Sequence, residues 1–427
     1  MKPWKAAAAG AMSALLFFGQ TAPLLANPVG GQVAAGSATI ISSGSTETIN
    51  QSSASAIINW QQFSINSGEL TKFLVPNSSS ATLNRVLGGN PSLIYGTLQS
   101  NGIVYVINPS GIVVGPNGRI DTAGFIGSTL DLTNQQFLQG GNLDFVGNSS
   151  ASIDNQGVIS ASSGDVYLIA AQVSNSGTIT APQGTAGLAA ASNVLYQPVG
   201  NQHLFVQANP VGTTRAVGVT NTGTVRAARA ELTAAGGNAY ALAINNSGNV
   251  AATGFKKING QVYLTSDGGN ITNSGQITAQ NSDGSGGTID VDGSGSGAAP
   301  GGTVTNSGAL DASASTPGTD GGAITLKSVN GSVSHTGQIF ARGGLGGVGG
   351  NVDISGSQFQ FTGSVDLTAP NGQTGNLLLD PVVLNVSTIV PTLTVITTGT
   401  GTITGNQNDN TSTTIAPSTV DGALNTA

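Results

Sequence analysis

Short β-branched and aliphatic runs alternate along most of the chain with clusters of Gly, Ser, Thr, Asn and Asp. Ala38-Thr39-Ile40-Ile41, Gly164-Asp165-Val166-Tyr167-Leu168-Ile169 and Gly260-Gln261-Val262-Tyr263-Leu264 are typical. Runs of this length between turn-forming residues predict strands whose alternate side chains point inward. After residue 150 one phrase recurs: Ile153-Asp154-Asn155-Gln156-Gly157, Val173-Ser174-Asn175-Ser176-Gly177, Val219-Thr220-Asn221-Thr222-Gly223, Ile244-Asn245-Asn246-Ser247-Gly248, Ile271-Thr272-Asn273-Ser274-Gly275 and Val304-Thr305-Asn306-Ser307-Gly308. Val333-Ser334-His335-Thr336-Gly337 is a weaker copy. The glycines lie 20, 46, 25, 27, 33 and 29 residues apart, and the 46 reads as two units of 23.

A strand-type repeat of 20 to 30 residues without a helical period predicts a solenoid. The expected fold is all-β, a right-handed parallel β-helix over most of Asn27 to Ala369. Each rung should carry the Asn-x-Gly turn and two or three strands, with Asn side chains stacking from rung to rung. At ~22 residues per rung and ~4.8 Å per step, the mature chain would form a rod of about 80–90 Å. From Val33 to Phe73 short runs and turns predict an N-terminal β cap, because the first coil would otherwise leave an open edge. Trp60 and Phe63 are expected to plug it.

Composition supports a thin, tightly wound β structure. Gly makes up 64 of 427 residues and charged residues only 7%, against a usual ~25%. A hydrophobic content of 38% still builds a core. The net charge of −7 and the lack of a basic patch argue against a nucleic-acid partner. Residues 1–26 read as a signal peptide for the Sec machinery: Lys2 and Lys5, the apolar stretch Ala6 to Phe18, then Leu24-Leu25-Ala26 as cleavage site. The chain has no cysteine, which suits export through a pore in an unfolded state.

One stretch departs from repetition. In Asn101 to Leu132 the runs Ile103 to Ile107 and Ile112 to Val114 flank Asn108-Pro109-Ser110-Gly111, predicting strand, tight turn, strand. Pro109 fixes its φ, and Gly111 can take a positive φ. The segment resembles the secretion domain of the two-partner secretion family, the filamentous haemagglutinins and high-molecular-weight adhesins of Gram-negative bacteria, whose hallmark is Asn-Pro-Asn-Gly-Ile. Asn108, Pro109, Gly111 and Ile112 match, and Ser110 replaces the middle Asn. The resemblance extends to Ile49-Asn50-Gln51-Ser52, Ile58-Asn59-Trp60, Phe63, Leu83-Asn84-Arg85-Val86 and Ser128-Thr129-Leu130-Asp131.

The resemblance implies recognition of the N-terminal domain by an outer-membrane β-barrel transporter with periplasmic domains. The product would be a surface or released adhesin that meets a receptor on a host or neighbouring cell. The motif Asn108 to Ile112 either shapes a turn of the folded domain or is read by that transporter. The expected organisation is a signal peptide over 1–26, the secretion domain over 27–270, and further rungs with Gly/Ser-rich loops over 271–375. A Leu-Asp-Pro segment over 376–427 reads as the start of a longer C-terminal region.

Catalytic chemistry finds little support. His203 and His335 are the only histidines, so neither a cysteine nucleophile nor a zinc-finger-type site is available. GLGGVG at Gly344 to Gly349 matches a dinucleotide fingerprint but has no helical pattern after it. Asp283, Asp290 and Asp292 read as solvated turn carboxylates rather than a calcium site. The expectation is no enzyme, no cofactor and no metal. The alternatives are a polysaccharide-processing β-helix enzyme or the delivery stalk of a toxin.

Overall fold

The computed structural model describes residues 27–200, 202–206, 218–235, 242–295 and 300–381, with short strand segments between 385 and 415. The predicted signal peptide, Lys2 and Lys5 included, and most of the tail after Pro381 lie outside the described residues. Among the described residues the chain is all-β apart from one short helix and winds as a parallel β-helix, in the right-handed sense that strand twist favours. Among the described residues no helix is long and apolar enough to cross a membrane.

From Ser92 to Pro381 each rung has three strands. Ser92–Ile94, Ile112–Val114 and Ser152–Asn155 stack in parallel on one sheet. Thr97–Ser100, Arg119–Thr122 and Val158–Ala161 stack on the second, and Ile103–Ile107, Gly124–Ser128 and Val166–Ala170 on the third. Inward positions repeat the same residue type at each level. On the second sheet Leu98, Ile120, Ile159, Ile179, Val225, Val250 and Ile277 lie in direct register, all fully buried. Each such side chain removed from water stabilises the rod by about 1.5–3 kcal/mol.

The Asn-x-Gly turn joins the first sheet to the second, and from Asn155 to Gly363 two residues separate the strands there at each rung. Its Asn side chains form a continuous ladder. Nδ2 of Asn155 donates to Oδ1 of Asn175 at 2.7 Å, and Asn175, Asn221, Asn246 and Asn273 each donate onward, to Asn306, at the same distance. All six residues are buried. The glycines stack just outside: a Cβ on Gly177, Gly223, Gly248, Gly275, Gly308 or Gly337 would collide with the carbonyl oxygen of the glycine one rung earlier. The repeat's Gly is therefore a requirement of strand spacing, because no side chain fits between carbonyls stacked this closely.

The 46-residue interval is one rung, not two. Val173 pairs directly with Val219. Of the residues between Ala190 and Gly218, the described ones, 191–200 and 202–206, leave the coil at the corner between the third and first sheets, as 129–151 do two rungs earlier. These excursions meet outside the rod, where Leu143–Val146 pairs antiparallel with Asn193–Tyr196, which pairs with Leu204–Val206. A longer loop adds little closure entropy, so rungs can lengthen without adding levels. The rod is correspondingly shorter than 80–90 Å. Twelve successive pairings from Thr46–Gln51 to Thr394–Ile396 on the second sheet give about 58 Å at ~4.8 Å per step.

In the distal rungs the lengthened corner is that between the second and third sheets. The loops over 312–322, 341–350 and 367–375 lie on one another through backbone bonds such as Gly318 N–H to Leu345 O at 2.8 Å and Gly346 N–H to Pro370 O at 2.7 Å. GLGGVG falls in this ridge and is followed by the strand Asn351–Phe361.

The cap forms as expected. Ala38–Ser43 pairs antiparallel with Thr46–Gln51, and Gln32–Ala35 with Ser55–Trp60. Trp60 and Phe63 are each 1% exposed and meet edge to face at 5.7 Å, and the Trp60 indole donates to Asn84 Oδ1 at 2.9 Å.

Gly248→Ala should cost about 1–3 kcal/mol by overpacking the glycine stack, read as a lower denaturation midpoint. Ala at Gly346, where a Cβ would meet nothing within 4 Å, should cost less, through its positive φ alone.

Candidate functional site

The sequence motif occupies the corner between the third and first sheets, ahead of the first excursion. Asn108 is fully buried. Its amide donates to Asn90 O at 3.0 Å and Ser92 Oγ at 2.9 Å, and its Oδ1 accepts from Ser110 N at 2.9 Å. Gly111 N–H closes the turn onto Asn108 O at 3.0 Å, with Gly111 at φ 109°. Ile112 points into the core at 1% exposure. Pro109 is exposed and Ser110 half-buried, and Pro109 O accepts from Ser149 Oγ of the first excursion at 2.6 Å. Asn108, Gly111 and Ile112 thus hold the corner from inside while Pro109 and Ser110 face out.

A second hydrophobic core lies outside the rod. On the outer face of the third sheet Ile57, Leu83, Tyr105, Ile126 and Tyr167 stand in register. The helix Asn134–Gln139 and the three-stranded outer sheet cover them through Phe137, Leu143, Phe145, Val194 and Leu204. Beyond Gly187 the same row turns polar, with Glu231, Tyr263 and Asp290. Arg85 fastens the start of this cover. Its Nε lies 3.0 Å from both oxygens of Asp131, and it donates to Leu132 O at 2.8 Å and Asn134 Oδ1 at 2.7 Å. Two sequence phrases, Leu83-Asn84-Arg85-Val86 and Ser128-Thr129-Leu130-Asp131, are thereby joined through Arg85 and Asp131, 46 residues apart. The helix was not anticipated; its signal is Thr133-x-x-Gln136, a capping box in which Gln136 N donates to Thr133 Oγ1 at 3.2 Å.

Where the cover ends, a buried polar cluster ties it to the rod. Glu231 is fully buried and accepts from the backbone N–H groups of His203 and Leu204, each at 2.8 Å. Arg229 donates to Gln261 Oε1 at 3.1 Å and approaches His203 Nε2 at 3.0 Å, while the Tyr167 hydroxyl meets His203 Nδ1 at 2.9 Å. Burial raises the Glu231 carboxyl to about 7, against the opposing Leu204 and His203 amides and Arg229. Burial, then Arg229, lowers His203. Burial, then Asp165, pushes the hydroxyls of Tyr105, Tyr167 and Tyr196 well above their usual range. These groups come from residues far apart in sequence, and no local spacing announces them.

Asp290 and Asp292 sit on the strand Thr288–Asp292 rather than in a turn, and Asp283 alone is a loop carboxylate. Burial, then Asp292, raises Asp290 to about 6. Among the described residues no cluster of three or more His, Cys, Asp or Glu is placed to hold a metal. The second histidine, His335, lies in the core at the end of the Asn ladder.

A capped parallel β-helix with its proximal rungs sheathed by an outer sheet, and a turn motif at the sheath's edge, defines a sheathed β-solenoid. The family model for the TPS secretion domain matches residues 26–279, more than half of the chain. The chain belongs to the TPS secretion domain family. It is similar to two curated Haemophilus influenzae proteins described as heme/hemopexin-binding protein. One is 37% identical over 105 residues, 25% of this chain and 12% of that protein; the other is 42% identical over 85 residues, 20% and 9%. The chain thus spans about a tenth of the curated relatives it matches. The HMW1 secretion domain from Haemophilus influenzae superposes with a TM-score of 0.72 at 24% identity, covering 91% of this chain and all of that one; this likeness is one of fold.

Two variants test the geometry. Asn108→Ala removes three hydrogen bonds and should lower stability by about 2–4 kcal/mol, read by thermal unfolding. Glu231 binds its proton more tightly folded than unfolded, at about 7 against 4.5. Its stabilising contribution is therefore full below pH 4.5 and lost as pH rises to 7, about 3 kcal/mol in all. Glu231→Gln should remove that slope from the pH dependence of chemical denaturation.

Proposed function

We propose that this chain is the N-terminal part of an exported adhesin, delivered by its signal peptide and Sec to the periplasm and then passed outward by an outer-membrane β-barrel transporter. The observation that carries the reading is the family match over residues 26–279, which contains the capped and sheathed part of the rod. Rungs that continue past residue 279 in the same register extend that part into a display surface. Folding outside the cell, rung upon rung, hinders backsliding through the pore and needs no nucleotide. The unfolded chain offers strand-forming segments that can add to a sheet edge of the transporter's periplasmic domains.

Capture of a haem carrier is the second reading, favoured by the 37% and 42% identities to proteins described as heme/hemopexin-binding. Cell-adherence assays and hemopexin pull-down with the purified exported protein separate the two. A polysaccharide-processing activity or a toxin stalk would instead show as glycan cleavage, or as a toxin domain in the gene downstream of Ala427.

The export role of the corner is tested with Asn108→Ala, Pro109→Ala and Gly111→Ala, comparing secreted with periplasmic protein and refolding each variant in vitro. Variants retained in the periplasm that still refold mark residues read by the transporter. Normal secretion of all three would remove the export role.

A further inference from the structure

The amide ladder has two ends, and they are unlike. Each Asn donates Nδ2–H toward the C-terminal side, so Asn155 keeps a buried Oδ1 with no partner, next to Val114. At the other end Asn306 Nδ2 lies 3.0 Å from His335 Nδ1. An amide nitrogen cannot accept, so Nδ1 must be the acceptor, and the neutral ring carries its proton on Nε2. Nε2 is itself buried without a hydrogen-bond partner. The next rung closes over the ring: Phe361 lies 5.2 Å away, centroid to centroid, and a Cβ on Gly363 would strike Nε2.

We propose that His335 is the end-stop that fixes the direction of the whole ladder, and that a proton on its Nδ1 uncouples the rungs beyond Asn306 from those before it. Each amide is oriented by its neighbour, so one acceptor at the end orients all six. The direction adopted leaves an orphan carbonyl at Asn155, which is less costly than a buried NH2 group facing Val114 would be. Protonation sets two donors against each other across the 3.0 Å gap. Relief requires either turning every amide back to Asn155, which buries that NH2 group, or parting the strand Thr303–Asn306 from the Ser332–His335 segment.

Among the described residues no charged group contributes to the titration of His335: burial lowers it, to about 4, and the Ser364 backbone opposes. A histidine whose folded value lies below its ordinary 6.5 contributes stability above pH 6.5 that is lost as pH falls through 4. This sign is opposite to that of Glu231. The seam lies beyond residue 279, where the family match ends, so acid would open the distal rod while the corner at Asn108 stays wound.

The test uses the full chain and its two histidines. Nitrogen-15 NMR, assigned with His203→Gln, should show His335 protonated on Nε2 alone at pH 7 and free of titration until below pH 5. Hydrogen exchange at pH 4.5, corrected for intrinsic rates, should be on the order of tenfold faster over 332–366 than over 158–279, relative to the same ratio at pH 7. His335→Asn supplies an acceptor that cannot titrate and should abolish that difference. A proton on Nδ1 at pH 7, or a His335→Asn chain that opens in acid like the parent, would overturn the proposal. The tautomer is read on the parent chain, so the test stands even if the variant does not fold.

Discussion

Parallel strands about 4.8 Å apart place every side chain directly over its counterpart one rung earlier. A position can then hold only what tolerates its own copy at that distance. Aliphatic groups do, and they fill the interior. Amides do so by donating to the next and accepting from the last, and the six Asn residues line one corner in this way. Side chains of any size fail where carbonyl oxygens themselves are stacked, and only Gly remains. The repeat phrase is the written form of these three tolerances.

The same constraint divides the outer surface. On the third sheet the outward row is apolar from Ile57 to Tyr167, and a continuous apolar stripe cannot be left to water. The two excursions supply its cover, with Arg85 and Asp131 at one end and Glu231 and Arg229 at the other. Once Gly187 and Glu231 break the stripe, no cover is needed. The distal excursions instead become a ridge bonded through its own backbone. The proximal rungs therefore form a two-core unit, the distal rungs a single-core one.

Much of this architecture is legible in the residues. The Asn-x-Gly phrase carries the rung, the ladder and the tight corner, and Asn-Pro-Ser-Gly-Ile carries its turn down to the positive φ of Gly111. The 46-residue spacing was misleading because a period counts residues, whereas a rung is defined by register, and Val173 meets Val219 whatever lies between them. The polar cluster was illegible for a related reason. Tyr167, His203, Arg229 and Glu231 meet only after an excursion folds back, and nothing in the local pattern specifies where it lands. Arg85 and Asp131 lie between these cases, since both phrases stand out in the sequence but their pairing does not.

The corner between the first and second sheets keeps its two-residue turn from Asn155 to Gly363, while the other two corners lengthen freely. In cross-section the molecule resembles a hull: a straight keel of stacked glycines and amides runs along one edge, and all variation is carried away from it. Loops can be exchanged, extended or lost on the other edges without moving the keel. Such a molecule can change what it presents to its surroundings and leave untouched the edge that keeps its levels in line.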